Sequence, residues 1–327
     1  MRLGPKFAIS SVLGLAAGLA ANRIYRRDMR QIIDAVARGG SIADTPVGPV
    51  EYAEAGNGAP LLLIHGAGGG YDQGLMIGRD FGEGFRIIAP SRFGYLGTPV
   101  PEDVSPAAQA SAHAALLDHL GIDKCIVAGV SAGAPSAIEL ALRHPERVTA
   151  LILLVPRLYD PTGAIGVDEA LPSRLVYRLV DRSADFLFWL AMRAARGAVV
   201  RFLGVPPELE ARALPQERAR VTEVMRSILP LSRRVAGIAA DSKAQIDPWP
   251  LGEIRAPVLI VSAEDDLFRT LPGARYTAER IPGCELRILP SGGHLMVGQN
   301  AQVQRWVGDF LSGSSASKLQ ARDLAAA

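Results

Sequence analysis

The sequence predicts an α/β fold, with a mostly parallel central sheet flanked by helices and a helical cap inserted between two strands. Short apolar runs, typical of strands that helices cover on both faces, alternate with segments of helical periodicity. The run at residues 125–130 passes through a sharp turn straight into a helical pattern. Residues 156–250 then contain no convincing strand, so we expect an insertion there.

These patterns divide the chain into four parts. We expect the α/β core to consist of residues 41–155 and 251–312, interrupted by a helical cap at residues 156–250. Residues 313–327, rich in serine and alanine, are expected to form a flexible tail. Residues 1–30 form a separate amino-terminal segment.

The amino-terminal segment carries an uncharged, largely apolar run over residues 7–21, followed by four arginines, Arg23, Arg26, Arg27 and Arg30. Counted through Tyr25, the run favours an uncleaved membrane anchor over residues 7–25. A cleaved signal peptide and a helix packed on the body or lying in the membrane interface are the alternatives. We therefore expect membrane association through this segment, and basic residues on both flanks leave the side of the membrane open.

Residues 41–45 and 49–55 are two short alternating runs separated by a turn signal, which predicts an antiparallel hairpin at a sheet edge. Buried strands are expected at residues 61–64 and 85–90, with a helix at residues 106–120.

A glycine-rich loop, His65-Gly66-Ala67-Gly68-Gly69-Gly70, follows the strand at residues 61–64. Backbone N–H groups in such a loop suit an anion, either a phosphate or a transient oxyanion. The dinucleotide fingerprint fails, because Tyr71 stands where the third glycine is required, and no Gly-Lys-Ser/Thr sequence supports a P-loop. An oxyanion loop is the better functional interpretation, and a merely tight turn is the alternative.

The central feature is the turn Gly129-Val130-Ser131-Ala132-Gly133 between a strand and a helix. A serine nucleophile must stand clear of the backbone at such a turn, where a base can reach its Oγ. Glycines on both sides allow strand and helix to approach closely. The alternative is a glycine-rich βα turn with an idle serine.

Two further chemical groups follow later strands. After the cap, a strand at residues 257–261 leads to Asp265 and Asp266, and a strand at residues 285–289 leads to His294. A serine hydroxyl needs an imidazole to take its proton, and the imidazole needs a carboxylate to orient it. Because the carboxyl ends of parallel strands share one edge, we expect Ser131, one of these acids and His294 to converge there.

The composition narrows the classes of function. The 327 residues carry a net charge of only +2 with no block of like charge, which argues against a nucleic-acid partner. Cys125 and Cys284 show neither a metal-binding nor a disulfide pattern, and no histidines have metal-ligand spacing. The sequence therefore predicts no metal site.

The chain resembles the α/β-hydrolase family, whose triad follows the order Ser, acid, His. The resemblance covers about residues 50–155 and 255–312 and rests on His65-Gly66, the turn around Ser131, residues 262–266 and Gly293-His294. It implies Ser131 as nucleophile, His294 as base and Asp266 as acid, with Asp265 as the alternative acid. It also implies an oxyanion hole formed by the N–H groups of Ala67 and Ala132, with Gly68 as an alternative donor, and no cofactor.

By this resemblance we expect a serine hydrolase that cleaves a carboxylic ester, or a related acyl bond, of a small apolar molecule through an acyl-serine intermediate. Carbon–carbon bond hydrolysis and perhydrolysis occur in similar serine enzymes and are alternatives. An interfacial lipase or a catalytically silent binding module would also fit the pattern.

Overall fold

The computed structural model describes residues 5–163 and 184–313, with side chains over residues 18–163 and 185–313. One eight-stranded sheet forms the centre of the molecule. Its strands are β1 (Ser41–Thr45), β2 (Gly48–Ala55), β3 (Ala59–Ile64), β4 (Phe85–Pro90), β5 (Cys125–Val130), β6 (Val148–Leu154), β7 (Val258–Ala263) and β8 (Glu285–Leu289). Every strand expected from the sequence is confirmed, with its boundaries close to those expected.

The strands lie in the order β1-β2-β4-β3-β5-β6-β7-β8. The β1–β2 hairpin is antiparallel, β2 joins β4 antiparallel, and all remaining neighbours are parallel. The mostly parallel α/β fold predicted from the sequence is therefore confirmed. Because β3, β5, β7 and β8 run in the same direction, the loops after them meet at one edge of the sheet.

Helices cover both faces of this sheet, and further helices lie in the amino-terminal segment and in the cap. They are α1 (Pro5–Gly39), α2 (Tyr71–Arg79), α3 (Pro106–His119), α4 (Ala134–Arg143), α5 (Ala184–Ala194), α6 (Arg196–Phe202), α7 (Pro207–Arg212), α8 (Pro215–Arg226), α9 (Val235–Lys243), α10 (Leu271–Ala278) and α11 (Asn300–Gly313). Along β3, Leu62 and Ile64 pack in the cluster that includes α3 and α4, whereas Leu61 and Leu63 pack in the cluster that includes α11. Burial of both faces explains the uninterrupted apolar strands.

Helix α2 is a helix that the sequence pattern did not predict. Gly74 and Gly78 lower its intrinsic helix propensity. Both glycines face the sheet: a Cβ at Gly74 would lie 2.8 Å from the Cβ of Ala89, and one at Gly78 would lie 2.7 Å from a methyl carbon of Ile87. The same glycines that weaken the helical pattern allow α2 to pack closely on β4.

The described part of the segment between β6 and β7 is helical, as expected for the cap. Helices α5 to α9 lie there, although the apolar periodicity of the sequence predicts two longer helices, at residues 171–203 and 207–229, and both patterns are broken. Ala195, with φ −139°, separates α5 from α6, and extended backbone at Ala213 and Leu214 separates α7 from α8. Residues 164–183, which include the start of the first pattern, lie outside the described residues.

The expectation of a membrane anchor over residues 7–25 is wrong. In the described residues, no helix combines the length and the apolar character that crossing a membrane requires. Helix α1 continues through the arginine cluster and packs one face on the cap, with Met29 buried. Asp28 accepts hydrogen bonds from the indole of Trp189 and from Arg193, at 3.2 and 2.6 Å.

Helix α1 also contacts the core. Near its carboxyl end, the carbonyl oxygen of Val36 accepts a hydrogen bond from the hydroxyl of Tyr71 at the start of α2. The helix therefore bridges the cap and the layer beside the sheet, which corresponds to the expected alternative of a helix packed on the body. At the other end of the chain, α11 ends at Gly313, and residues 314–327, where a flexible tail was expected, lie outside the described residues.

Candidate active site

Ser131 stands at the turn between β5 and α4, where the chain reverses sharply. Its φ of +49° lies in the left-handed region that side chains other than glycine rarely adopt. A Cβ at Gly133 would lie 2.5 Å from the carbonyl oxygen of Ile64, and one at Gly129 would lie 2.8 Å from the Cβ of Ala137. The two glycines are therefore required for the turn to fit against β3 and α4, as the sequence predicted.

The glycine-rich loop after β3 lies directly beside this turn. A Cβ at Gly66 would approach the Cβ of Ser131 to 3.3 Å. Among the described residues, no hydrogen bond uses the backbone N–H of Ala67 or that of Ala132, the two predicted oxyanion donors. The N–H of Gly68, the alternative donor, points instead to the Tyr95 hydroxyl at 3.4 Å. Ala67 and Ala132 therefore offer free donors at this edge.

Asp266 and His294 are in direct contact. The Nδ1 atom of His294 lies 2.8 Å from Oδ2 of Asp266, and both side chains are buried. Asp266 accepts two more hydrogen bonds, from the hydroxyl of Thr270 at 2.6 Å and from the backbone N–H of Phe268 at 2.9 Å. Since Nδ1 faces the carboxylate, the other ring nitrogen of His294 is the one available to a substrate or a nucleophile.

The carboxylate of Asp266 is favoured over its protonated form. Burial alone would raise the pKa of Asp266, but the neighbouring His294 and the hydrogen bonds from His294, Thr270 and Phe268 bring that pKa below its ordinary value. An ionised acid in this position can stabilise positive charge on the imidazole when His294 takes a proton.

Asp265, the alternative acid, faces another way. Its two carboxylate oxygens accept the backbone N–H groups of Gly292 and Gly293, at 3.2 and 2.8 Å. Asp265 therefore holds the loop that carries His294, while Asp266 contacts the ring itself. Of the predicted site residues, the structure joins Asp266 to His294; no hydrogen bond among the described residues joins the Ser131 hydroxyl to His294.

His65 orients the glycine-rich loop. Its Nε2 accepts the backbone N–H of Arg92 at 3.0 Å, so Nδ1 carries the proton and donates it to the carbonyl oxygen of Gly66 at 2.7 Å. Complete burial, with the charge of Arg92 nearby, lowers the pKa of His65 well below its ordinary value. Because its imidazole is neutral and both ring nitrogens are occupied by backbone contacts, His65 holds the loop in place and does not transfer protons.

An ion pair between the buried Arg92 and a partly exposed Asp241 connects this loop to the cap. The guanidinium of Arg92 forms a two-pronged pair with Asp241 of α9, at 2.6 and 2.7 Å, and its Nε donates to the carbonyl oxygen of His65 at 2.9 Å. The Tyr95 hydroxyl donates to the same carboxylate. Sequence reasoning missed Arg92, Tyr95 and Asp241, because Asp241 lies 149 positions from Arg92 and no local pattern pairs them.

Metal-binding geometry is not found in the described part of the chain. No group of three or more His, Cys, Asp or Glu side chains there could hold a metal ion. At this edge the described residues offer a hydroxyl, an imidazole, a carboxylate and two free backbone donors.

The chain is similar in sequence and structure to known hydrolases. The chain is 29% identical over 261 residues to the uncharacterized hydrolase YcgS of Bacillus subtilis (strain 168), a match that covers 76% of this chain and 89% of that protein. It is 27% identical over 277 residues to a 2-hydroxy-6-oxo-6-phenylhexa-2,4-dienoate hydrolase of Burkholderia cepacia, with 80% and 91% covered.

Among solved structures, an alpha/beta hydrolase fold protein from Nakamurella multipartita superimposes with a TM-score of 0.65 at 29% identity. The match covers 84% of this chain and 99% of that one. The family model described as alpha/beta hydrolase fold matches residues 59–301, which include the turn at Ser131, the Asp266–His294 pair and the whole described cap. The chain therefore belongs to the α/β-hydrolase fold family and is a hydrolase of that fold.

Proposed function

We propose that this protein hydrolyses a bond to a carbonyl carbon, with Ser131 as nucleophile, His294 as general base and acid, and Asp266 as the orienting carboxylate. The observation that carries the proposal is the buried hydrogen bond between Asp266 and His294, at the same sheet edge as the partly buried Ser131. Each of the three positions holds a chemically competent side chain.

In the first half of the reaction, the Ser131 oxygen attacks the carbonyl carbon and its proton passes to the free nitrogen of His294. The charged imidazole is stabilised by Asp266, which already contacts Nδ1. Negative charge develops on the carbonyl oxygen, where the N–H groups of Ala67 and Ala132 are free to bind it. The tetrahedral adduct then breaks the bond to the leaving group, and His294 returns its proton to that group.

In the second half, a water molecule attacks the acyl-serine. His294 takes a proton from the water, the second tetrahedral adduct collapses, and His294 returns that proton to the Ser131 oxygen as the ester bond breaks. The products are a carboxylic acid and the protonated leaving group, and the enzyme returns to its starting state.

The leaving group distinguishes two candidate reactions. An oxygen leaving group would make the protein a carboxylic-ester hydrolase, which the sequence favoured. A carbon leaving group is expelled only when a neighbouring carbonyl, or its vinylogue, takes up the electron pair. The relative from Burkholderia cepacia is named for a carbon–carbon bond hydrolase of this kind, so we favour carbon–carbon bond hydrolysis beside a ketone over ester cleavage.

A fluorophosphonate probe tests the nucleophile. We expect the folded protein to be labelled on Ser131, and the variant Ser131→Ala to lose both labelling and turnover while keeping its unfolding midpoint. Ser111→Ala on α3, whose hydroxyl only contacts the carbonyl of Ala107, is the matched control and should react normally. An unlabelled Ser131 in folded wild-type protein would favour the silent binding module.

The leaving group is tested by comparing two substrate series at equal acyl size. One series contains 2-hydroxy-6-oxo-2,4-dienoates with phenyl or alkyl groups on the 6-ketone, whose 2-hydroxyl allows tautomerisation to the 2-ketone that takes up the electron pair. The other series contains 4-nitrophenyl esters of the same acyl groups. We expect a higher kcat/KM for the ketone series. A higher kcat/KM for the esters, with no cleavage of any ketone, would favour ester hydrolysis over carbon–carbon bond hydrolysis. The assignment of Ser131 as nucleophile would not change.

A further inference from the structure

A glycine of the cap lies against the loops that carry the acid and the base. Gly204 follows α6, and its carbonyl oxygen accepts two backbone hydrogen bonds, from Leu267 at 3.1 Å and from His294 at 3.0 Å. Leu267 immediately follows Asp266 in the chain. One carbonyl group of the inserted segment therefore ties together the two core loops that bring Asp266 and His294 into contact.

Only glycine fits at this position. Gly204 has φ +77°, and a Cβ there would lie 2.6 Å from the Cβ of His294 and 2.8 Å from a ring carbon of Phe268. The ring of Phe268 in turn packs edge-on against the His294 ring, with centroids 4.6 Å apart. The backbone of Gly204 thus touches the base from the cap side without an intervening side chain.

The neighbouring residues of the cap continue the contact. A Cβ at Gly293 would lie 2.8 Å from the Cα of Val205, so the histidine loop and the cap backbone pack directly together. Val205 is fully buried. The following helix α7 is held by its buried Glu210, which accepts hydrogen bonds from Arg196 and Arg218. The Gly204 carbonyl is therefore presented by a firmly packed segment.

The histidine loop is held from two sides. On the core side, Asp265 accepts the N–H groups of Gly292 and Gly293. On the cap side, Gly204 accepts the N–H of His294 itself. The hydrogen bond from the ring to Asp266 fixes the orientation of the ring, while these backbone contacts fix the position of the His294 backbone.

We propose that Gly204 is a positioning residue of the active site, through which the cap sets the direction of the His294 ring toward Ser131. The proposal rests on the proposed function, because it assigns His294 the role of base. It makes the cap part of the catalytic machinery in addition to a cover for the substrate. Displacement of the Gly204 backbone moves His294 and Leu267 together and misaligns the proton transfer.

The test compares Gly204→Ala with Gly283→Ala. Gly283 has a similar φ of +71°, but a Cβ there meets nothing within 4 Å, so this control carries the backbone strain without the contact. We expect Gly204→Ala to lower kcat and the rate of fluorophosphonate labelling by about 10- to 100-fold with little change in KM, because small misplacements of a reacting group have effects of this size. Gly283→Ala should leave kcat unchanged. Equal kcat in the two variants would overturn the proposal.

A spectroscopic measurement separates this proposal from the proposed function. The proton between His294 Nδ1 and Asp266 gives a low-field proton resonance whether or not Ser131 is reactive. We expect Gly204→Ala to shift or broaden that resonance and Gly283→Ala to leave it in place. An unlabelled Ser131 together with a shifted resonance would reject the reaction but support the positioning role, and an unchanged resonance would reject the positioning role.

If Gly204→Ala does not fold, amide hydrogen exchange in the wild-type protein tests the proposal instead. The N–H groups of Leu267 and His294 should exchange slowly, because both donate to Gly204. Exchange of either amide as fast as that of the exposed loop residue Glu83 would show that the cap does not hold these loops, and would overturn the proposal.

Discussion

Asp265 and Asp266 occupy neighbouring positions in the chain but contact different parts of the histidine loop. Asp266 binds the ring of His294, whereas Asp265 binds the backbone of Gly292 and Gly293. The sequence shows two carboxylates after a strand and cannot say which one faces the ring, because that depends on the backbone turn between them. The resemblance to the family implied Asp266, and Asp266 is the one of the two whose carboxylate contacts the ring.

This difference predicts unequal effects of two matched substitutions. Asp266→Asn should lower kcat by about 10³- to 10⁴-fold, because an amide neither holds the correct tautomer of His294 nor stabilises its charge. Asp265→Asn removes one of the two carboxylate oxygens that accept hydrogen bonds from the loop backbone, and it should lower kcat much less. Steady-state kinetics with unfolding curves for both variants check this expectation. A larger loss of kcat in Asp265→Asn would exchange their roles.

The lowered pKa of Asp266 predicts a pH dependence of stability. Below the ordinary pKa of an aspartate, about 3.9, an unfolded chain holds a proton that the folded Asp266 does not. Asp266 therefore contributes stability that is complete above that pH and is lost as the pH falls through the folded pKa. The difference in unfolding free energy between wild type and Asp266→Asn, measured in urea, should shrink on acidification. A difference that stays constant or grows would contradict the shift.

At the scale of elements, the strands and the helical character of the cap were predictable, and the breaks between the cap helices were not. Strands buried on both faces carry uninterrupted apolar runs, which a sequence shows directly. The breaks inside the cap depend on long-range contacts: Glu210 of α7 binds Arg196 of α6 and Arg218 of α8. Likewise, Asp241 and Arg92 lie 149 positions apart in the chain, so no local sequence pattern indicates that they pair.

The ion pair between Asp241 of α9 and the buried guanidinium of Arg92 predicts a large effect on stability. Asp241→Asn leaves the guanidinium of Arg92 buried without a compensating charge, and we expect a loss of about 3 kcal/mol in unfolding free energy. Asp118→Asn is the matched control: its ion pair with Arg147 has an aspartate side chain 68% exposed, and the cost should stay below about 1 kcal/mol. Equal losses in urea denaturation would mean that the cap pair is not a structural anchor.

At the scale of the whole molecule, α1 belongs to the body. An apolar run followed by arginines resembles a membrane anchor in sequence, because the sequence does not show what the polar residues contact. In the structure, Asp28 is buried against Trp189 and Arg193, and the ring of Tyr25 packs edge-on against those of Phe186 and Trp189. The cap supplies an apolar partner that the sequence alone could not reveal.

Two substitutions on α1 test this packing. Met29 is 5% exposed and contacts the cap, so Met29→Ala should lower the free energy of unfolding by about 2–4 kcal/mol. Leu19 on the same helix is 62% exposed, and Leu19→Ala should change it by less than about 0.5 kcal/mol. Urea denaturation of the full chain measures both. Similar small effects would indicate that α1 does not pack on the body in solution.

The two-ended attachment of α1 restrains the described cap relative to the sheet. One part of the helix is pinned to the insert through Asp28, and its far end is pinned beside the sheet through Val36. A helix attached at one point to the cap and at another to the layer beside the sheet limits how far the two can separate. A rigid-body movement of the described cap away from the sheet would therefore break either the Asp28–Arg193 contact or the Val36–Tyr71 hydrogen bond, unless α1 itself bends.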